Sequence, residues 1–237
     1  MKKTIDSRDN NTYKELLRLQ KGNYEEGLFL AEGEDFYEES RKHDCLKTLI
    51  LPEGSSFETD FPDVLYLREN LYKSLSSYQS LPKCLSLCQK KESQDLGAKV
   101  VYLDGIQDPG NLGTILRTAL AFSYTGIALS EDCVSVYNKK AIQSTKGALF
   151  ALPFRKVSLS KLKKEGYSIY LTTLDGRDME EVKTLSRPFV LAFGNEGHGI
   201  REENRNLGEK LRIKMDNIDS LNVAIACSIF LYHYSKE

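Results

Sequence analysis

Tryptophan is missing from this chain, cysteine and histidine are scarce, and neither sign of charge dominates. Each shortage closes off a class of protein. The five cysteines (Cys45, Cys84, Cys88, Cys133 and Cys227) are odd in number and include no C-x-x-C pair. A disulfide framework or a cysteine-based zinc site is therefore not expected. Reduced thiols in a cytoplasmic protein fit that usage best. The three histidines are scattered, so no histidine metal site is expected either. The net charge of −1 and pI near 6.4 lack the overall basic footprint of most nucleic-acid binders. Any such contact must use local patches. The N-terminal segment offers one in Lys2, Lys3, Arg8, Lys14, Arg18 and Lys21, which reads equally well as a solvated terminus. The longest apolar stretch, Leu221 to about Tyr234, falls short of the ~20 residues that span a bilayer. It reads as a buried core helix. The polar start, MKKTIDSRDNNTYKE, has no apolar h-region, so no signal peptide is expected. Finally, neither G-x-G-x-x-G nor G-x-x-x-x-G-K-[ST] is present, which disfavours a dinucleotide or P-loop site.

What is present is an ordinary globular composition, 41% hydrophobic and 28% charged over 237 residues. Residues 1–90 read as a small mixed unit. It has helices at Thr12–Leu19, Glu32–Arg41 (acidic and solvated) and Arg68–Ser76. Its strands are Leu28–Ala31, Thr48–Leu51, Val64–Leu67 and Cys84–Cys88. The run QKKESQDLGAK, residues 89–99, is polar and without periodicity, and marks the domain boundary. From residue 98 to 237 strand and helix alternate. Strands are expected at Val100–Leu103, Ile127–Leu129, Ser168–Thr172, Phe189–Phe193 and Leu211–Met215. Helices are expected at Leu112–Phe122, Lys139–Leu149 and Ser220–Tyr234. Such alternation implies an α/β fold with a parallel sheet and helices on both faces.

Three unusual loops follow predicted strands, and ligands of open α/β sheets bind at strand carboxyl ends. The first, DGIQDPGNLG from Asp104 to Gly113, is a tight turn into a helix, with Asn111 near the helix start as a candidate cap. In that helix Ile115, Leu116, Ala119 and Leu120 form an apolar face, and Arg117 points away from it. Taken alone, Arg117 would be a solvated surface charge. The second loop is GNEGHG, Gly194 to Gly199, whose glycines allow a ligand near the backbone and which holds Glu196 at the strand's end. The third is MDNIDSLNV. Ser220 is a good N-cap for the helix that follows, and capping leaves Asn222 in the first turn unexplained.

Together these stretches resemble the SpoU/TrmH family of RNA ribose 2′-O-methyltransferases, within the SPOUT superfamily. The family's D-P-x-N-x-G-x-x-x-R pattern is matched by Asp108, Pro109, Asn111, Gly113 and Arg117. Its G-x-E-G-x-G pattern is matched by Gly194, Glu196, Gly197 and Gly199, and S-L-N-V by Ser220, Leu221, Asn222 and Val223. Each motif alone is modest; all three in order are specific. The N-terminal run GLFLAEGEDFYEE looks like the start of the L30e-like RNA-binding domain of many members. The resemblance implies a parallel-sheet SPOUT domain with a deep trefoil knot, a small L30e-like α/β domain before it, and a homodimer. It implies S-adenosylmethionine as cofactor and RNA as partner, ribosomal more than transfer RNA, with no membrane and no metal. By the same resemblance Arg117, Asn111, Glu196, Ser220 and Asn222 are the catalytic candidates. The backbone around Gly194, Gly199, Ile213 and Leu221 would hold the cofactor, with Thr172 a weaker candidate. Two departures stand out: Lys214 follows Ile213 where the family usually has proline, and Gln143 stands where relatives often have arginine. The alternatives are a transfer-RNA ribose methyltransferase, and a non-catalytic RNA-binding protein of the same fold. The latter would be expected to have lost Arg117, Asn111 or Glu196.

Overall fold

The computed structural model describes residues 2–22, 27–77, 80–91, 93 and 95–236. The side chains of Lys2 and Lys236 lie outside that description, as do Glu92 and Gln94 of the expected linker. The chain forms two compact units. One comprises Met1–Lys91 and Tyr137–Phe150, the other Glu92–Val136 and Ala151–Glu237. The polar run at 89–99 thus contains one crossing point, and the segment 137–150 returns to the first unit. It does so for a physical reason. Tyr137 packs its ring at a tilt against Phe29 at 4.8 Å, Phe150 stacks on it at 5.8 Å, and Lys139 pairs with the buried Glu32 at 3.8 Å.

The first unit runs β1 (Lys2–Ile5), α1 (Asn11–Gln20), β2 (Leu28–Glu32), α2 (Glu34–Lys42), β3 (Leu46–Pro52), β4 (Val64–Leu67), α3 (Glu69–Leu75) and β5 (Leu85–Gln89). Its sheet has the order β1-β4-β3-β5-β2, parallel on the β1 side and antiparallel around β5. The polar sequence of β1 does not announce a strand, because Lys3 and Thr4 are exposed and Ile5 is buried. Glu32 belongs to β2 and not to a solvated helix. It is buried and accepts hydrogen bonds from Ser76 Oγ and from Ser77. The helix after it is solvated on one side only, since Phe36 and Tyr37 are in the core. α1 is capped by Asn10, and its outer face presents Lys14, Arg18 and Lys21 at one helical stripe.

The second unit supplies β6 (Lys99–Asp104), α4 (Pro109–Ala121) and β7 (Gly126–Leu129). The returning segment then carries α5 (Lys139–Thr145) and α6 (Ala148–Ala151). The single helix expected over Lys139–Leu149 breaks in two because Lys146 and Gly147 adopt positive φ, 49° and 89°. β8 (Phe154–Lys156) and α7 (Leu159–Lys164) follow, neither of them expected from the sequence, with Ser158 capping α7. Then come β9 (Ser168–Asp178), β10 (Phe189–Gly194), β11 (Glu209–Arg212) and α8 (Val223–His233). All pairings are parallel, in the order β11-β9-β10-β6-β7-β8. β6, β7 and nearly all of β10 are buried along their length, as parallel strands covered on both faces require. Lys99 opens β6 inside this core, where its ammonium meets the carbonyls of Tyr234 and Ser235 beyond α8.

β9 and α8 depart from expectation. β9 pairs with β11 at Tyr170 and Leu171, then again at Arg177 and Asp178, so Thr172–Gly176 bulge out of the ladder. Gly176 sits where a Cβ would lie 2.6 Å from the Leu211 nitrogen, so only glycine lets the excursion close. α8 is not buried all round, as its composition suggests. It buries Val223, Ala224, Cys227, Phe230 and Leu231 against α4 and β10, and exposes Ile225, Ile229 and Tyr232.

Candidate functional site

The three loops meet at the carboxyl end of the second unit's sheet, beside a cavity of about 810 Å³. Thr172, Gly194, Glu196, Gly199, Ile213, Ser220, Leu221 and Asn222 all line it. Asn111 is tied to the lining by hydrogen bonds. Arg117 is exposed on α4, outside the lining.

A chain of amides connects the loops. Asn222 Oδ1 accepts from the amides of Ala224 and Ile225, at 2.9 and 3.3 Å, and so caps α8. That acceptance points its Nδ2 outward, where it donates to Asn111 Oδ1 at 3.1 Å. Asn111 Nδ2 then donates to Glu196 Oε1 at 2.8 Å. The order is chemically forced. A helix start offers only donors, and an ionised carboxylate only accepts, so both asparagine amides have one usable orientation. The helix caps differ from those expected at two places. The cap of α8 is Asn222 and not Ser220, because the helix begins at Val223. The cap of α4 is Asp108, which accepts from Asn111 N at 2.8 Å with Pro109 in the first turn. Asn111 is thereby freed to face Glu196.

The 194–199 loop closes on itself through paired backbone hydrogen bonds between Asn195 and Gly199, at 3.1 and 2.9 Å. A Cβ on Gly194 would fall 2.0 Å from the Gly199 carbonyl carbon. That glycine is dictated first by the loop's own backbone and not by approach of a ligand. Asn195 spans to the first loop, donating from Nδ2 to Gly105 O at 2.7 Å.

Beneath the loops is a buried network that the sequence reading does not single out. Asp104, fully buried at the end of β6, accepts from Arg201 Nε at 2.6 Å, Arg201 N at 3.0 Å and Asn204 Nδ2 at 2.9 Å. Arg201 Nη2 also donates to Asp132 at 2.8 Å, and Ser130 joins Asp132 to Gly105 N. The Ser130 hydroxyl is the main reason the Asp132 carboxyl sits below its ordinary range. A charge closing an apolar strand (VVYLD) was the available signal, since a buried carboxylate must find partners.

The cysteines take no part in this chemistry. All five are free and buried, and burial pushes up the thiols of Cys84 (to about 12), Cys88 and Cys227. Among the described residues no group of three potential ligands could hold a metal ion, and no helix is long and apolar enough to cross a membrane.

A parallel α/β sheet, a ligand-sized cavity at its carboxyl end and three polar loops joined by one amide chain define the class: an α/β protein that binds a small molecule beside an exposed carboxylate. The family follows from comparison. Residues 98–232 match the SpoU rRNA Methylase family, and the chain belongs to it. It is 30% identical over 98% of its length to the 23S rRNA (guanosine(2553)-2′-O)-methyltransferase RlmP of Bacillus subtilis, covering 98% of that protein. It is 31% identical to the 23S rRNA (guanosine-2′-O-)-methyltransferase RlmB of Coxiella burnetii, over 65% of this chain and 63% of that one. Among solved structures, an AdoMet-bound rRNA methyltransferase from Sinorhizobium meliloti superposes with a TM-score of 0.84 at 27% identity, over 98% of this chain and 97% of the other.

Proposed function

We propose that the protein transfers a methyl group from S-adenosylmethionine to a ribose 2′-hydroxyl of ribosomal RNA. The observation that carries this is the Asn222–Asn111–Glu196 chain at the mouth of the cavity. Family membership and two relatives named as 23S rRNA 2′-O-methyltransferases support it.

The cavity suits the cofactor on its own terms. It offers apolar walls (Phe193, Ile213, Leu221 and Phe230), backbone at Gly194, and polar groups at Thr173, Asp175 and Lys210. Gly194, Gly199, Ile213 and Leu221 would hold it, with Thr172 beside them, although Thr172 Oγ1 is already donated to Ala192 O. When bound, the cofactor supplies an activated methyl that needs no covalent enzyme intermediate. The chain's own residues have to align the hydroxyl with it, and positioning of this kind can contribute several kcal/mol. Glu196, held by Asn111, faces the cavity as the acceptor that orients the ribose. Ser220 adds a second polar group from the facing loop. Arg117 is too basic to take a proton. Its work is electrostatic, binding the substrate phosphate and stabilising developing alkoxide charge.

The wider reading follows. Residues 1–90 of the first unit are an L30e-like RNA-binding domain, supported by the basic stripe on α1. The second carries a deep trefoil knot. After β11 at the sheet's edge, the chain returns to pack α8 on β10 and α4, near the middle. The protein acts as a homodimer in the cytoplasm. Ile225, Ile229 and Tyr232 stand out from α8 at one helical stripe and Leu120 from α4, an apolar face that a second copy would cover. Arg117 is one turn from Leu120 and borders that face. The test is methylation of ribosomal and transfer RNA with labelled S-adenosylmethionine, read by alkaline hydrolysis. A ribosomal nucleotide that becomes resistant to cleavage is expected. Label found only in a base, or only in transfer RNA, would refute the reading.

A further inference from the structure

Two charges on the cavity wall are already accounted for. Glu196 is held by Asn111, and Arg205 by Glu202 at 3.0 Å and by Ile200 O. Asp219 and His198 line the cavity from loops and take part in no ion pair among the described residues. One oppositely charged pair lies wholly within the lining. Lys210 Nζ, on β11, meets Asp175 Oδ2 at 2.9 Å across the excursion of β9. Nothing in the fold needs a charge pair there. The excursion is already closed by Gly176 against Leu211, and a pair this exposed contributes little to stability. Lys210 comes just before the point where the ladder slips, so the slip throws Thr173–Asp175 out over the cavity and leaves the lysine facing them. Next to the pair lies the Thr173 hydroxyl, a buried oxygen beside the Asp175 carboxyl, which it helps to hold below its ordinary range.

Resting on the reading of the cavity as the S-adenosylmethionine site, we propose that this corner is a subsite for the zwitterionic amino-acid end of that cofactor. Lys210 binds its α-carboxylate and Asp175 its α-ammonium, with Thr173 accepting or donating beside them. A cation and an anion side by side match a ligand whose own carboxylate and ammonium share one carbon. The lysine, and after it the Thr173 hydroxyl, already hold the Asp175 carboxyl below its ordinary range, so that carboxyl is ionised at neutral pH. The Lys210–Asp175 contact would then be exchanged for two contacts to the ligand.

The test is calorimetric titration of the full chain with S-adenosylmethionine, S-adenosylhomocysteine and 5′-methylthioadenosine. The last two are both neutral thioethers with the same ribose and adenine, and only the first of them carries the amino-acid end. Lys210→Met keeps the aliphatic stem and Asp175→Asn keeps the shape. Each should weaken S-adenosylhomocysteine about tenfold, the size of one charge-assisted hydrogen bond, and leave 5′-methylthioadenosine within about twofold. Equal losses for both thioethers would overturn the proposal, since the pair would then only shape the wall or bind the ribose. Unchanged affinity for both would overturn it too. If the wild type binds none of the three, the cofactor reading of the cavity fails along with the subsite. Binding without discrimination overturns the subsite alone.

Discussion

Replacing Asp104 should cost far more than replacing Asp132, although both hold the same arginine. Asp104 is fully buried and accepts three hydrogen bonds, whereas the Asp132 side chain is 53% exposed. Three hydrogen bonds to a charged acceptor would sum to roughly 4.5–9 kcal/mol at about 1.5–3 each. They are not additive, and breaking one partner of a buried pair costs about 3–5 kcal/mol. Asp104→Asn should therefore cost about 3–5 kcal/mol, because its new amide must point a donor at donors. At roughly 2–4 °C per kcal/mol, the melting transition of the second unit should fall by about 6–20 °C. Asp132→Asn should cost under about 1 kcal/mol. Differential scanning calorimetry on both variants measures this. The pH dependence has a definite sign. A carboxyl whose folded pKa is depressed, as that of Asp132 is, contributes fully above its unfolded value near 3.9 and loses the contribution as pH falls through the lower folded value. Stability from this group should be flat from about pH 5 upward and decline only on the acid side, a decline that Asp132→Asn removes. Equal shifts in melting temperature for the two variants would show that burial does not set the strength of this network.

Two further outcomes follow, one from the third loop and one from α8. Asn222→Ala should lose about 1 kcal/mol as a cap, and S-adenosylmethionine affinity with it, while Ser220→Ala leaves the melting temperature unchanged, since it caps nothing. Ile229→Glu, on the exposed face of α8, should shift the protein towards monomer in sedimentation velocity; a wild type that is already monomeric would remove the proposed interface.

Much of the second unit is legible because its strands are buried on both faces and spell unbroken apolar runs, as in VVYL and FVLAF. The short edge strand β8 has no such run, with Lys156 exposed, and neither it nor α7 can be read from the sequence. The three loops are legible as motifs, and what the motifs do locally is not. Ser220 and Asn111 are good capping residues by type. The structure uses Asn222 and Asp108 instead, because the helices begin two residues away from the predicted starts or more. The supporting network is invisible for another reason. Asp104, Asp132 and Arg201 are far apart in sequence and meet only when the parallel sheet brings the ends of β6, β7 and β10 side by side. The return of 137–150 to the first unit depends on ring contacts with Phe29, which no local pattern encodes.

The amide chain makes one more demand, and it separates polarity from shape. Asn111 takes a donor on one side, from Asn222, and gives a donor on the other, to Glu196. Asn111→Asp preserves the shape and the acceptor towards Asn222. It alters only the second link, setting a carboxylate about 2.8 Å from a carboxylate. Two such groups cannot both ionise at no cost, and their first proton is held to higher pH than either would hold alone. Once protonated, the substituted carboxyl is again a donor and restores the link. Methyl transfer by the Asn111→Asp variant should therefore be poor at alkaline pH and recover as pH falls, where the shared proton returns. Asn111→Ala, with no donor to regain, should show the wild-type pH profile at a lower rate throughout. Matching profiles for the two variants would mean that Glu196 does not depend on a donor from position 111, and the chain from the α8 cap to Glu196 would lose its functional meaning.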